Sequence, residues 1–134
     1  QMVSSDLKAY FDATEGVGVL STVGADGSVN SALYARPRCF GDELAFIMLH
    51  RQSYDNLQQH PQAAYLFLEK SPGYRGLRLQ LSLLRQEQDP ARIAALLAQR
   101  GRQLRTDEPR SLVYFRVDAV QPLLGANRNP HAED

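Results

Sequence analysis

The sequence has one cysteine, Cys39, and no tryptophan. A lone thiol cannot form an intramolecular disulfide, which fits a reducing compartment. One Cys and three scattered His leave no ligand spacing for a metal, so none is expected. No apolar run approaches the roughly 20 residues that span a bilayer. The first residues, Gln1 to Asp6, lack a basic segment followed by an apolar one. Neither a membrane span nor a secretory leader is expected, and the protein reads as cytoplasmic. An excess of one charge is missing as well: 15 basic and 15 acidic residues cancel, which argues against a generic nucleic-acid binder.

Familiar catalytic signatures are also absent. There is no Gly-x-x-x-x-Gly-Lys phosphate loop, no His-Glu-x-x-His and no Gly-x-Ser-x-Gly elbow. Gly16-Val17-Gly18 lacks a third glycine and starts an apolar run instead of following one, so it fails as a dinucleotide fingerprint. Cys39 would need a base to act as a nucleophile. The nearest His in sequence is His50, and an inert buried thiol is the favoured reading.

What is present suits one globular domain: 134 residues, 43% hydrophobic and 22% charged, enough to bury a core without staples. The domain is expected over residues 4–125, with 126–134 a flexible, patternless tail. The basic residues are thirteen Arg and only Lys8 and Lys70. Between Gly73 and Arg116 nine Arg face Glu87, Asp89, Asp107 and Glu108, a local excess of five positive charges. Arginine forks suit phosphate and carboxylate. The excess is thus either an anion site or a solvated face. The arginines from Arg92 to Arg110 are expected to be solvated, and Arg75 and Arg78 to stand nearer any cleft.

Ser4 or Ser5 can cap a helix bearing Leu7, Tyr10 and Phe11, stopped by Gly16. Val17 to Val23, the Asp26-Gly27 turn and Ser28 to Phe40 read as a hairpin, with Pro37 marking an edge, a bulge or a strand end. Leu44 to Leu49 is apolar on both faces, so it needs a barrel interior on one side and a helix or partner subunit on the other. Ser53 can cap a short helix, Tyr54 to Gln59, closed by His60-Pro61. Ala63 to Leu68 is a strand, and Leu77, Leu79, Leu81 and Leu83 alternate with polar residues. Asp89-Pro90 opens a helix that ends before Gly101, and Leu112 to Val120 is the last strand. Six strands joined by tight turns predict an antiparallel sheet closed as a small barrel with helices outside, a mainly β, α+β domain.

The best local candidate for chemistry is His50-Arg51-Gln52-Ser53-Tyr54-Asp55-Asn56. It lies where an apolar strand enters a helix, offering backbone N–H groups, a hydroxyl and a guanidinium to a phosphate. The competing reading has Ser53 capping its own helix and Arg51 in solvent.

Several runs taken in order carry a resemblance. They are Gly18-Val19-Leu20-Ser21-Thr22, the Asp26-Gly27 turn, Tyr34-Ala35-Arg36-Pro37, Arg51-x-Ser53-Tyr54-x-Asn56-Leu57 and His60-Pro61-x-Ala63-Ala64-Tyr65-Leu66-Phe67. Gly73-Tyr74-Arg75-Gly76-x-Arg78-Leu79 and Val113-x-Phe115-x-Val117-Asp118-x-Val120-x-Pro122-Leu123 continue it. From Leu7 to about Gly125 the chain resembles the pyridoxamine 5′-phosphate oxidase-like, FMN-binding split-barrel proteins. The resemblance implies a six-stranded split barrel, a homodimer, and a flavin in each of two clefts between subunits. Its phosphate loop maps onto Arg51, Gln52, Ser53 and Asn56, with Arg36 or Arg38 helping from the preceding strand. His50 and Arg78 complete the expected cofactor-binding set, and Tyr34, Tyr74 and His50 are the polar groups to seek near a flavin ring.

The chain also departs from the oxidase proper. Ser53-Tyr54-Asp55 stands where the oxidase has Ser-Arg-Lys, and Ala32 where it has a phosphate-binding Arg. The Arg- and Trp-rich C-terminal segment that holds pyridoxine is missing. The expectation is therefore an FMN-dependent oxidoreductase acting on a small-molecule redox substrate, without pyridoxamine phosphate oxidase activity and without an assigned catalytic residue. The alternative is a non-catalytic dimeric module for haem, a deazaflavin or no cofactor.

Overall fold

A computed structural model describes residues 4–103 and 107–125. The tail expected to be flexible, 126–134, lies outside them. In chain order the elements are α1 (Ser4–Ala13), β1 (Gly16–Val23), β2 (Val29–Leu33), β3 (Arg38–Phe40), β4 (Glu43–Leu49), α2 (Gln52–Gln59), β5 (Gln62–Glu69), β6 (Gly76–Glu87), α3 (Pro90–Gln99) and β7 (Arg110–Pro122). Among the described residues no helix is long and apolar enough to cross a membrane.

All seven strands form one antiparallel sheet in the order β2-β1-β5-β6-β7-β4-β3. The sequence reading expects six strands, because it treats Ser28 to Phe40 as one. Pro37 divides that run: it has no N–H for a ladder, and pairing stops at Leu33 on β1 and resumes at Arg38 on β4. The two halves end up on opposite edges of the sheet, yet only residues 34–37 join them. The five steps from Leu33 to Arg38 span at most about 18 Å, so the sheet must curl until its edges approach each other. The seam between β2 and β3 is the split in the barrel. Two register shifts in the β6–β7 ladder, at Gln80/Leu81 and Leu83/Arg85, help bend its two longest strands.

Inside the curl lies the main core: Leu20, Phe46, Met48, Tyr65, Phe67, Leu79, Leu81, Val113 and Phe115, closed by Leu7 and Phe11 of α1 and by Leu57 of α2. The alternation along β6 supplies Leu77, Leu79 and Leu81 inward, as its period of two requires. The second apolar face of β4 is covered by the chain itself. Ala45 packs with Leu112 and Tyr114 of β7 beneath Ile93 and Leu96 of α3. Of the two covers expected for that strand, the structure uses the helix. α3 starts as read, with Asp89 accepting from the Arg92 N–H at 3.1 Å and Pro90 behind it. Gly101 follows its end at φ +68°, the left-handed region that glycine occupies at no steric cost.

Candidate functional site

The seam opens into a cavity of about 750 Å³, within the usual range for small-molecule sites. β2 contributes Asn30, Ala32 and Leu33, and the joining loop contributes Tyr34, Ala35 and Arg36. The floor is Ala45, Phe46, Ile47 and Leu49 of β4. The start of α2 supplies one end, with Arg51, Gln52 and Ser53. The end of α3 supplies the other, with Leu97, Arg100, Gly101, Arg102 and Gln103. Arg38 and Arg110 complete a ring of six arginines, and among the described residues no carboxylate lines the cavity.

At the α2 end, Arg51 is the N-cap residue, in extended conformation, and no side chain caps the helix. The backbone amides of Gln52, Ser53 and Tyr54 belong to the first turn and have no intrahelical acceptor, so an anion can take them. This corrects the expectation that Ser53 is the cap. Ser53 sits inside the first turn, nearly fully buried, beside the Tyr34 phenol. Burial pushes that phenol above its usual range, against a hydrogen bond with Ser53 and the nearby Arg51 charge, which lower it. The Arg51 guanidinium is held at 2.9 Å by Glu108.

The α3 end is tied to the seam by a reciprocal strap. Arg38 Nη2 donates to the Leu96 carbonyl at 2.6 Å. Arg100 donates back through Nη1 to the Arg36 carbonyl at 2.6 Å and through Nη2 to the Pro37 carbonyl at 3.1 Å. Arg36 Nη1 in turn donates to the Thr14 carbonyl at 2.8 Å. Arginine is well suited to this because its planar fork reaches several acceptors at once. These bonds hold the loop open as a wall that contains Pro37 and cannot pair as a strand.

Of the expected binding residues, the structure gathers Arg36, Arg38, Arg51, Gln52 and Ser53 around the cavity. The others lie elsewhere in the chain. His50 stacks on Tyr54 at 4.0 Å, with Nε2 2.8 Å from Ser111 Oγ. Asn56 is buried, donating to Thr22 Oγ1 at 3.0 Å and accepting from Gln52 at 2.6 Å, so it braces α2 against β1. Arg78 lies on the outer face of the sheet, between Leu66 and Gln121, and donates to the Pro122 carbonyl at 2.9 Å. Of the groups sought near a flavin ring, only Tyr34 reaches the cavity, and Tyr74 is 77% exposed on its loop.

Arg100, Arg102 and Arg110, expected in solvent, line the cavity; of these Arg102 is exposed, whereas Arg100 and Arg110 are half-buried. Of the rest of that run, Arg92 lies over the Phe40 ring at 5.2 Å, and Arg105 is outside the described residues. The local arginine excess was the available signal. It pointed to the right segment, but nothing in sequence shows that the end of α3 folds back onto Pro37.

No protein-family model matches the chain, and no curated protein does. Solved structures do match. An FMN-binding protein from Syntrophomonas wolfei aligns at TM-score 0.73 and 16% identity, over 92% of this chain and 90% of that one. An F420 reductase aligns at 0.69 and 21%, over 90% and 97%. HutZ, the haem storage protein of Vibrio cholerae, aligns at 0.62 and 14%, over 91% and 95%. A candidate pyridoxamine 5′-phosphate oxidase from Listeria innocua aligns at 0.66 and 17%, over 90% and 97%. The seam between β2 and β3 is therefore the split of a known architecture, and the chain has the pyridoxamine 5′-phosphate oxidase-like split-barrel fold.

Proposed function

We propose that the protein binds FMN in the seam cavity and works as a flavin-dependent oxidoreductase, as a cytoplasmic homodimer. The observation that carries this reading is the uncapped start of α2 beside Arg51 and Ser53, facing an arginine-rich cavity large enough for a flavin. The phosphate is assigned to the amides of Gln52 and Ser53, the Ser53 hydroxyl and the Arg51 fork. Tyr34, Phe46 and Ile47 offer apolar and aromatic surface to the ring. Bound FMN would supply the electron transfer, while the chain orients it and keeps water away. Haem is the competing ligand: among the described residues the lining has no His, Cys or Met, and Tyr34 is the side chain there that could ligate iron.

The protein purified from cells grown with riboflavin is expected to be yellow, with one FMN released per chain on denaturation. A colourless protein that also leaves added FMN fluorescence unquenched would overturn the flavin reading.

The homodimer is supported by the outer face of the sheet. There Val17 pairs with Leu68, and Val19 lies between Leu33 and Leu66, with Val23 against Val29. Val17, Val29, Leu33, Leu66 and Leu68 are 36–73% exposed, and none of the three helices covers them. A contiguous apolar face of this kind marks an interface, and a second copy is the proposed occupant because a two-fold dimer covers the same patch on both subunits at once. Leu66→Asp is expected to convert a species of twice the chain mass into monomer by light scattering, with circular dichroism unchanged. Wild type that is already monomeric at micromolar concentration would remove the dimer.

A further inference from the structure

The cavity holds more positive charge than one phosphate uses. Arg51, Arg85 and Arg116 each have a carboxylate partner. Arg36, Arg38, Arg100 and Arg102 have none among the described residues. Three of these four satisfy part of their hydrogen bonding on backbone carbonyls, which fixes their positions but leaves their charges uncompensated. The fourth, Arg102, is exposed at the cavity's α3 end and takes no part in the strap. The crowding registers on the neighbours. Burial, then the charges of Arg100 and Arg102, push Arg38 down to about 10, and burial with the Arg36 charge pushes Arg100 down.

Like charges held together by backbone clamps destabilise a fold unless an anion relieves them. Within the described chain the Asp12 carboxylate offsets part of the charge on Arg100, but no carboxylate pairs with any of the four. The α2 end already has its own phosphate donors, and the two ends belong to different elements, separated by the β4 floor.

We propose that Arg38, Arg100 and Arg102 form a second anion subsite, which holds a carboxylate or phosphate on the small molecule that exchanges electrons with the flavin. The inference rests on the flavin reading above and adds the substrate class: an acidic small molecule, bound by its anionic group at the α3 end with its reactive part toward Tyr34 and Ile47.

Inorganic phosphate is the probe, titrated calorimetrically into wild type, Arg102→Glu and Arg51→Ala, each with and without FMN. FMN-loaded wild type is expected to bind one phosphate. Arg102→Glu should weaken that binding by roughly tenfold or more, since it removes one cation and gives Arg38 and Arg100 an internal partner, while FMN affinity changes less than about twofold, because the phosphate is assigned to the α2 end and Arg102 belongs to the α3 end. The same variant should melt about 2 °C higher, because the new carboxylate relieves the crowding. A merely structural Arg102 would show neither the loss of phosphate nor the gain in Tm. The subsite is overturned if FMN-loaded wild type binds no phosphate, which would mean one ligand occupies both ends, or if Arg102→Glu binds phosphate as well as wild type. Failure of the flavin reading looks different. FMN then does not bind at all, yet the unloaded protein still takes two phosphates, one lost in Arg51→Ala and the other in Arg102→Glu.

Discussion

Gly18→Ala is expected to lower the unfolding free energy by about 2–4 kcal/mol, summing core overpacking and one lost buried hydrogen bond. A Cβ on Gly18 would overlap the phenol oxygen and ring of Tyr65. Tyr65 cannot swing aside, because it is fully buried, stacked on Phe67 and packed against the tilted rings of Phe11 and Phe46. Its hydroxyl donates to the Tyr34 carbonyl at 3.0 Å, and the Tyr34 N–H donates to the Gly18 carbonyl at 3.0 Å. Gly18 and Tyr65 together pin the residue at which the chain leaves β2 and becomes the cavity wall. The urea midpoint should fall with an unchanged m-value, and FMN affinity should fall with it as Tyr34 is displaced. A midpoint equal to wild type would mean that the Gly18–Tyr65 packing is not what holds the wall.

Arg51→Ala is expected to weaken FMN binding about ten- to a hundredfold, the loss of one charge-assisted hydrogen bond to phosphate. The lower end is favoured because Arg51 must first give up Glu108, an exposed pair that contributes little by itself. The same argument has an opposite-sign control: Glu108→Gln should tighten FMN binding by roughly twofold to threefold. Stability should change little in either variant, since both side chains are largely solvent-exposed. Equal FMN affinities for wild type and Arg51→Ala in a fluorescence titration would take Arg51 out of the phosphate site.

Much of this was legible in the residues. Alternation placed Leu77, Leu79 and Leu81 inward, Asp89-Pro90 and Gly101 bracketed α3, and Asp26-Gly27 marked the first hairpin. Those signals are local, and local signals survive folding. The junction at Arg51, Gln52 and Ser53 was likewise visible as a strand entering a helix. The long-range parts of the site were not. No periodicity reveals that Arg100 reaches the Arg36 carbonyl 64 positions away, or Arg38 the Leu96 carbonyl 58 away. Ser53 and Asn56 show the other failure: a polar side chain at the head of a helix can face solvent, ligand or core. Here Asn56 turned to Thr22, and Ser53 went beneath Tyr34. Composition located the charge excess but could not say which arginines would be compensated.

The sheet order also sets a timetable for folding. Among the described residues, β7 is the strand that joins the β1–β2–β5–β6 group to the β3–β4 pair, and it is the last of the described elements. Until it is made, Ala45 has only Arg38 of β3 as a ladder partner and Phe46 and Ile47 have none, so the cavity floor cannot form. A chain emerging from the ribosome can therefore pair its early strands but cannot complete the cavity until Arg110–Pro122 has cleared the exit tunnel. Pairing across nearly 70 residues, as between Phe46 and Val113, belongs to the slow class of folding events. The cavity thus depends on one late event: it exists only once β7 has paired with both β6 and β4.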